Sequence, residues 1–344
     1  MTRTSRLEME TIAFKRRRNG KILALSLALL VALLIVAVWR LTYGEMPIPA
    51  SQVLDLLFSG AGDSSAEGIV VRSVRLPRLL AALGVGAALA VAGIALQAIL
   101  QNPLAEPYTL GIASGAGFGG SLAFFASATG ILAVVPAAFA GALAALGAVW
   151  LLARSAGGGR VQIVLAGIIV SSFLSAGVTF LKAVSGDRLS AIVMWLMGGF
   201  SGATLTAAAT VWLFALLSFA VSWLYGRQLD AIALGEHTGS MLGVDERRLR
   251  IVLLCTVSLA AAAAVSFFGI IGFVGLVVPH LMRMLIGSLH RPLLCCSFLA
   301  GALLMASADG LAQICFELPV GVITALIGAP CFCWIMVRRK MTGS

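Results

Sequence analysis

Few residues of this sequence could perform covalent chemistry. The 344 residues contain three histidines, His237, His280 and His290, and none of them lies in an H-E-x-x-H metalloprotease motif. No serine lies in a G-x-S-x-G nucleophile motif, and no G-x-x-x-x-G-K-[ST] loop is present to bind nucleotide phosphates. We therefore predict no catalytic residues, and any ATP hydrolysis must come from another polypeptide.

The cysteines indicate packing rather than metal binding. Cys331 and Cys333 are spaced as C-x-C, but they have no second pair or neighbouring histidine to complete a metal site. All six cysteines lie in or beside strongly apolar stretches, where thiols behave as small buried groups. The sequence predicts neither a metal site nor a cofactor on this chain.

The most polar internal stretch is residues 228–250, which lies between two long apolar runs. Its spacing predicts two short helices at 230–234 and 236–242. Each is followed by a glycine, Gly235 or Gly243, that can supply the left-handed residue at a helix end. The charged residues that come next favour contact with water or with another protein.

Three arginines, Arg72, Arg75 and Arg78, are spaced three residues apart, so a helix would place them roughly on one face. One interpretation is that they extend to the membrane interface. The other is that they pair with carboxylates of an extracytoplasmic partner, because a guanidinium group binds a carboxylate through two hydrogen bonds. Composition alone favours the first interpretation.

The elements that position these residues are membrane helices. The sequence is 60% hydrophobic and 11% charged, with a mean hydropathy of +1.04, and no soluble domain of this size has such a composition. We predict an all-α polytopic membrane protein in which residues 1–344 form one transmembrane domain. Ten apolar segments have the length of a span, and they lie at 22–39, 79–100, 111–127, 131–152, 161–181, 206–225, 251–268, 272–289, 293–308 and 321–337.

Basic residues orient the chain. Ten spans place both termini in the cytosol, together with 18 of the 24 lysines and arginines, as the preference of basic residues for the cytoplasmic side requires. In this topology residues 1–21 form a basic cytosolic tail, 42–76 an outer loop with a short helix at 49–58, and 226–250 a cytosolic segment. A second outer excursion at 185–205 contains another short helix. The net charge of +10 follows from orientation and anionic lipid, and nucleic-acid binding is not indicated.

Ionisable groups are scarce inside the predicted spans, which contain His280 and Arg283 alone. A charge at the bilayer centre costs about 3 kcal/mol, and Arg283 is close enough to the inner end to reach the interface. We expect His280 to be a structural hydrogen-bonding group. An ion-coupled carrier would hold a buried carboxylate near the midplane, and no span contains one.

Several motifs, in the same order over residues 75–340, resemble the permeases of iron-siderophore, haem and vitamin B12 importers, the FecCD or BtuC-like family of ABC transporters. The matching motifs are RLPR at 75–78, NPLAEP at 102–107, LG at 110–111 with SGA at 114–116, WLMGGFSG at 195–202, GE at 235–236 with LGV at 242–244, GFVGLVVPH at 272–280, HR at 290–291 and ELPVG at 317–321.

The resemblance implies a type II ABC importer permease of about ten helices in the bacterial cytoplasmic (inner) membrane. It implies two permease chains, as a homodimer or a heterodimer with a paralogue, and two cytosolic ATP-binding subunits that hold ATP and Mg. A substrate-binding protein would deliver a ferric siderophore, haem or cobalamin from the outer side. From the residues alone, an ion-coupled secondary carrier and a non-transport membrane scaffold remain alternatives.

The resemblance also implies roles for individual residues. Arg75 and Arg78 match the family's docking arginines for the binding protein, and Gln313 stands where a third arginine is sometimes found. Asn102 and Leu104 match one cytoplasmic gate loop, and Arg160 and Val161 match the other, where Arg160 departs from the small hydroxyl residues expected. The residues that match the family's ATPase-coupling helices are Gly235, Glu236, His237, Met241, Leu242, Gly243 and Val244.

Overall fold

The computed structural model describes residues 3–58, 65–126, 131–235, 239 and 241–341, and most of these residues are helical. In chain order the helices are α1 Arg3–Thr42, α2 Ala50–Phe58, α3 Ala66–Ile99, α4 Ile112–Phe125, α5 Ile131–Ser155, α6 Arg160–Val184, α7 Leu189–Leu196, α8 Leu205–Leu224, α9 Gly226–Ala233, α10 Glu246–Phe268, α11 Val274–Ile286, α12 His290–Ile314 and α13 Val320–Met341.

Ten of these helices carry the predicted spans. Seven described helices, α1, α3, α5, α6, α8, α10 and α12, are long and apolar enough to cross a membrane, and α4, α11 and α13 are shorter apolar helices. Each of the ten predicted segments falls on one of them, so the all-α polytopic prediction is confirmed. Two helices begin well before their predicted spans: α1 begins at Arg3 rather than at residue 22, and α3 begins at Ala66 rather than at residue 79 and adopts π geometry over Val70–Arg75.

Helix α3 is the central element and packs against α8, α10, α11 and α12. Glycines allow the closest crossings. A Cβ atom at Gly93 would lie 1.8 Å from the carbonyl oxygen of Gly275 on α11, and one at Gly86 would lie 2.1 Å from that of Gly301 on α12. Small residues stabilise helix pairs in lipid by permitting such backbone contact, so these glycines fix the positions of α11 and α12.

Two irregular segments interrupt the helical packing and lie against each other. The first contains the predicted gate residues Asn102 and Leu104; we call residues 100–111 the first gate loop after this prediction, and they lead into α4. The second, residues 269–273, leads into α11. The Tyr108 hydroxyl donates to the carbonyl of Ile271 at 2.7 Å and accepts from its N–H at 3.2 Å. Because backbone groups within a membrane protein need partners, this side chain stabilises both segments and positions the first gate loop.

We name the outer and inner faces of the protein after the predicted membrane topology. The outer face carries α2 and α7, which confirm the short helices predicted at 49–58 and 185–205. The inner face carries the coupling segment, residues 226–250, which connects α8 to α10 and contains α9. The candidate functional residues lie at these two faces.

Candidate functional site

The coupling segment begins with α9, Gly226–Ala233, and turns at Gly235, where φ is +118°. The first helix predicted here is therefore present, although it begins four residues before residue 230. Residues 236–238 and 240 lie outside the described residues, and with them Glu236 and His237 of the predicted coupling site.

The far end of the coupling segment presents apolar side chains to its surroundings. Met241 is 87% exposed and Leu242 is 64% exposed. Gly243 then turns the chain with a φ of +77°, and Val244 leads into α10. Asp245 caps α10 by accepting a hydrogen bond from the N–H of Arg248 at 3.0 Å. An exposed apolar tip beside a stable helix start is suited to bind another protein.

The near end of the coupling segment is fixed to α12 through Asp230. Its Oδ1 atom accepts the backbone N–H of His290 at 2.9 Å and lies 2.7 Å from the Nδ1 atom of the same residue. Burial alone would raise the pKa of the Asp230 carboxyl, but these hydrogen bonds and the nearby charge of Arg291 outweigh burial and lower the pKa. Leu229 and Ile232 bury the apolar face of α9.

The first gate loop contacts α9 directly. Gln101 adopts a left-handed backbone conformation, with φ +46°, and its Nε2 group donates to the carbonyl oxygen of Ile232 at 2.9 Å. Asn102 closes the next turn, because its Oδ1 atom accepts the N–H of Leu104 at 2.9 Å. Leu104 is 45% exposed. The predicted gate residues Asn102 and Leu104 therefore lie in a turn that begins at a contact with the coupling segment.

The second gate loop, residues 159–161, contacts the other end of the coupling segment. The Nη2 atom of Arg160 lies 2.9 Å from the Oε2 atom of Glu246, the first residue of α10. Arg250 extends the contact, since its Nη1 group donates to the carbonyl of Gly158 at 3.2 Å. Val161, the neighbouring predicted gate residue, is exposed. Both gate loops are thus joined to the coupling segment, one at each end.

At the outer face, Arg78 lies in a buried ion cluster rather than on an open surface. Its Nε and Nη2 groups donate to the Asp309 carboxylate at 3.0–3.2 Å, and Arg40 of α1 donates to the same carboxylate and to Gln313. Asp309 is completely buried, and Arg40 and Arg78 are nearly so. We call Arg40, Arg78, Asp309 and Gln313 the outer cluster. It ties α1, α3 and α12 together.

Arg75 and Arg72 are also bonded within the chain. Arg75 donates to the main-chain carbonyls of Leu41, Thr42 and Met46, and Arg72 donates to that of Leu56 at 2.7 Å. These contacts order the outer loop around the start of α3, and the docking role of Arg75 and Arg78 stays a prediction.

Sequence reasoning missed the outer cluster. The predicted span at 293–308 ends one residue before a buried carboxylate, because α12 continues to Ile314 and contains Asp309. Asp309 lies near the outer end of α12 and is paired with two arginines, unlike the midplane carboxylate of an ion-coupled carrier. A signal was available in the RLPR motif, since buried arginines need a carboxylate partner.

Glu106 of the first gate loop was also missed as a titratable group. Burial raises the pKa of its carboxyl to about 7, although the backbone N–H of Phe273 donates to it and opposes the rise. Phe273 immediately precedes α11. The first gate loop therefore contains a carboxyl that changes charge near neutral pH at its junction with α11.

Comparison with known proteins decides the family. The model of the FecCD transport family matches residues 29–338. The chain belongs to this family. The cobalamin import system permease BtuC of Halobacterium salinarum is 37% identical, over 87% of this chain and 81% of the relative. The hemin transport system permease HmuU of Yersinia pestis is 38% identical, over 78% of this chain and 83% of the relative.

Among solved structures, an inward-facing conformation of a protein described as a metal-chelate type ABC transporter is similar to this chain. The TM-score is 0.81 and the identity is 32%, over 91% of this chain and 98% of the other. A similar arrangement of helices therefore extends over most of this chain.

Proposed function

We propose that this FecCD family chain is the permease subunit of a binding-protein-dependent ABC importer that moves a ferric siderophore, haem or cobalamin into the cytosol. The observation that carries the proposal is the attachment of both gate loops to the coupling segment, through Gln101 at one end and Arg160 at the other. A scaffold has no need of such connections. The names of the two relatives support a large metal chelate as cargo.

The partners follow from the same proposal. Two permease chains, as a homodimer or a heterodimer with a paralogue, form the pathway in the bacterial inner membrane with both termini in the cytosol. Two cytosolic subunits bind ATP and Mg and hydrolyse the nucleotide. Met241 and Leu242, which are exposed at the tip of the coupling segment, insert into an apolar cleft of the ATP-binding subunit.

Movement of the ATP-binding subunits is passed on by two polar contacts. As the coupling segment shifts, the hydrogen bond from Gln101 to Ile232 moves the first gate loop, which carries Asn102 and Leu104. At the other end, the pair of Arg160 with Glu246 moves the second gate loop and the start of α6. The exposed apolar side chains of Leu104 and Val161 then open or close the inner mouth of the pathway.

The outer loop receives the binding protein. Arg75 is half-buried and donates to main-chain carbonyls, and a carboxylate of the binding protein is a stronger acceptor than a neutral carbonyl. Docking exchanges these acceptors for the carboxylate. Arg78 is already paired with Asp309, so it supports the docking surface by holding the start of α3.

Reconstituted transport tests the proposal. Proteoliposomes that contain this chain and its ATP-binding subunit are supplied with haem, a ferric siderophore or cobalamin, each on a matching binding protein. We expect one cargo to accumulate, and to require both ATP and the binding protein. Accumulation that needs no ATP-binding subunit would support the ion-coupled carrier instead. ATP hydrolysis with no accumulation of any of the three cargoes would contradict the proposed cargo class.

A further inference from the structure

A basic cavity of about 480 Å³ opens at the inner face between the end of α5 and the start of α10. Its polar lining includes the guanidinium groups of Arg154, Arg247 and Arg250 and the carboxylate of Glu246. Its apolar lining includes Trp150, Ala153, Ile163, Ile251 and Leu254. Of the described residues that are predicted for coupling, gating or docking, none lines this cavity.

Positive charge predominates in the cavity. Among the described residues that line the cavity, Glu246 is the one acidic residue, and its carboxylate already binds Arg160 at 2.9 Å and lies 3.8 Å from Arg250. Arg154 and Arg247 are both exposed. The guanidinium carbon of Arg154 lies 5.3 Å from the centre of the Trp150 ring, so this arginine is held beside the cavity.

The cavity lies where the apolar surface of the helices ends. Trp150 and Ile251, which line the cavity, are 42% and 41% exposed, and Leu151, the residue after Trp150 on α5, is 63% exposed. Arg154 lies four residues after Trp150 on α5, and Arg247 lies four residues before Ile251 on α10, so each arginine is about one helical turn from an exposed apolar residue. Tryptophan and arginine at such a boundary are typical of the headgroup level of a bilayer.

We propose that this cavity binds the phosphate headgroup of an anionic phospholipid. The guanidinium groups of Arg154 and Arg247 bind the phosphodiester oxygens by charge-assisted hydrogen bonds, and the acyl chains lie along Leu151 and Ile251. An anionic headgroup suits a cavity with excess positive charge, whereas the cationic choline of a zwitterionic lipid does not. An acidic protein surface could also pair with these arginines, but it has no acyl chains to cover the exposed Leu151 and Ile251.

The lipid would lie beside the contact that joins the coupling segment to the second gate loop. Glu246 both lines the cavity and binds Arg160. A bound phosphate holds Arg154 and Arg247 away from the Glu246 carboxylate and so preserves its pairing with Arg160. Lipid binding to the cavity is measured without transport. The cavity could therefore fail to bind lipid while the proposed function stands.

Lipid retention measured by native mass spectrometry tests the proposal. The full-length protein is titrated with phosphatidylglycerol and with phosphatidylcholine, and the variant Arg154→Gln/Arg247→Gln is compared with the wild type. We expect the wild type to bind phosphatidylglycerol preferentially and the variant to bind it about 30-fold more weakly, since two arginines beside the headgroup are lost. The matched control is Arg227→Gln/Arg248→Gln, which removes two exposed inner-face arginines outside the cavity and should keep the preference.

Three results would overturn the proposal. The first is that the wild type binds the two lipids equally. The second is that both double variants lose phosphatidylglycerol binding to the same extent. The third is that millimolar inorganic phosphate displaces phosphatidylglycerol from the wild type. The last result would assign the cavity to free phosphate. A second measurement does not depend on the arginine variants, because brominated phosphatidylglycerol quenches tryptophan fluorescence. We expect stronger quenching than with brominated phosphatidylcholine, and Trp150→Phe should abolish the difference.

Discussion

At the outer face two arginines share the completely buried carboxylate of Asp309, whereas at the inner face Arg160 meets Glu246 with both side chains still 14–17% exposed. A buried ion pair that loses one partner leaves an uncompensated charge, so the outer cluster is costly to open. The inner pair is partly exposed, and an ion pair that keeps some contact with water costs less to open than a fully buried one. The outer cluster is therefore a fixed junction of three helices, and the inner contacts can re-form during a transport cycle.

The largest expected effect comes from removing the charge at the centre of the outer cluster. Asp309→Asn leaves Arg40 and Arg78 buried without a carboxylate, and we expect it to destabilise the protein by about 3 kcal/mol. The measurement is the midpoint of thermal unfolding in detergent. Asp55→Asn, which alters an exposed carboxylate on α2 of the same face, should leave the midpoint unchanged. Equal midpoints for Asp309→Asn and the wild type would show that the outer cluster is not a fixed junction.

The next effect concerns the tip of the coupling segment. Met241→Ser/Leu242→Ser removes two apolar side chains that we expect to be buried in the ATP-binding subunit, which should weaken association by about 2 kcal/mol, or about 30-fold in Kd. Binding of the purified permease to that subunit measures the loss. Leu289→Ser, at an exposed residue between α11 and α12, is the control. An unchanged Kd in the double variant would place the ATPase contact elsewhere.

An effect of similar size should appear in the pH dependence of stability. The pKa of the Glu106 carboxyl is raised to about 7, so the folded protein holds its proton more tightly than the unfolded chain does. Stability should therefore be greatest below the unfolded pKa and fall as the pH rises toward 7, by about 2 kcal/mol between pH 5 and pH 7, or about 5 °C in midpoint.

Glu106→Gln should remove this pH dependence between about pH 5 and pH 7, because the amide does not titrate in that range. If Glu106→Gln keeps the wild-type slope, the titrating group lies elsewhere in the protein.

Much of the fold could be predicted from local sequence. Each span is a long apolar run bounded by polar residues, and the apolar length of a run sets the length of a membrane helix. The short outer-loop helix α2 and the turns at Gly235 and Gly243 also follow from local composition. The start of α3 could not be predicted, because residues 66–78 are too polar to resemble a span and are ordered by contacts of Arg72 and Arg75 with the outer loop.

The candidate site was less predictable because its contacts join distant parts of the chain. Arg78 and Asp309 are 231 residues apart, Gln101 and Ile232 are 131 apart, and Arg160 and Glu246 are 86 apart. No local pattern specifies such pairs. The resemblance named Arg78, Asn102 and Arg160, but the partners of Arg78 and Arg160 and the Gln101 contact beside Asn102 emerge from the packing of α3, α9, α10 and α12.

The most direct test of the central claim is a charge exchange at the inner face. Arg160→Glu and Glu246→Arg each place like charges together, and the double variant restores an opposite pair in the reverse orientation. We predict that each single variant lowers the cargo transported per ATP hydrolysed and that the double variant recovers most of it, in proteoliposomes supplied with cargo-loaded binding protein. Transmission through this contact would be contradicted if the wild type and the three variants transported the same amount of cargo per ATP hydrolysed. It would also be contradicted if the double variant transported no more per ATP than the worse single variant.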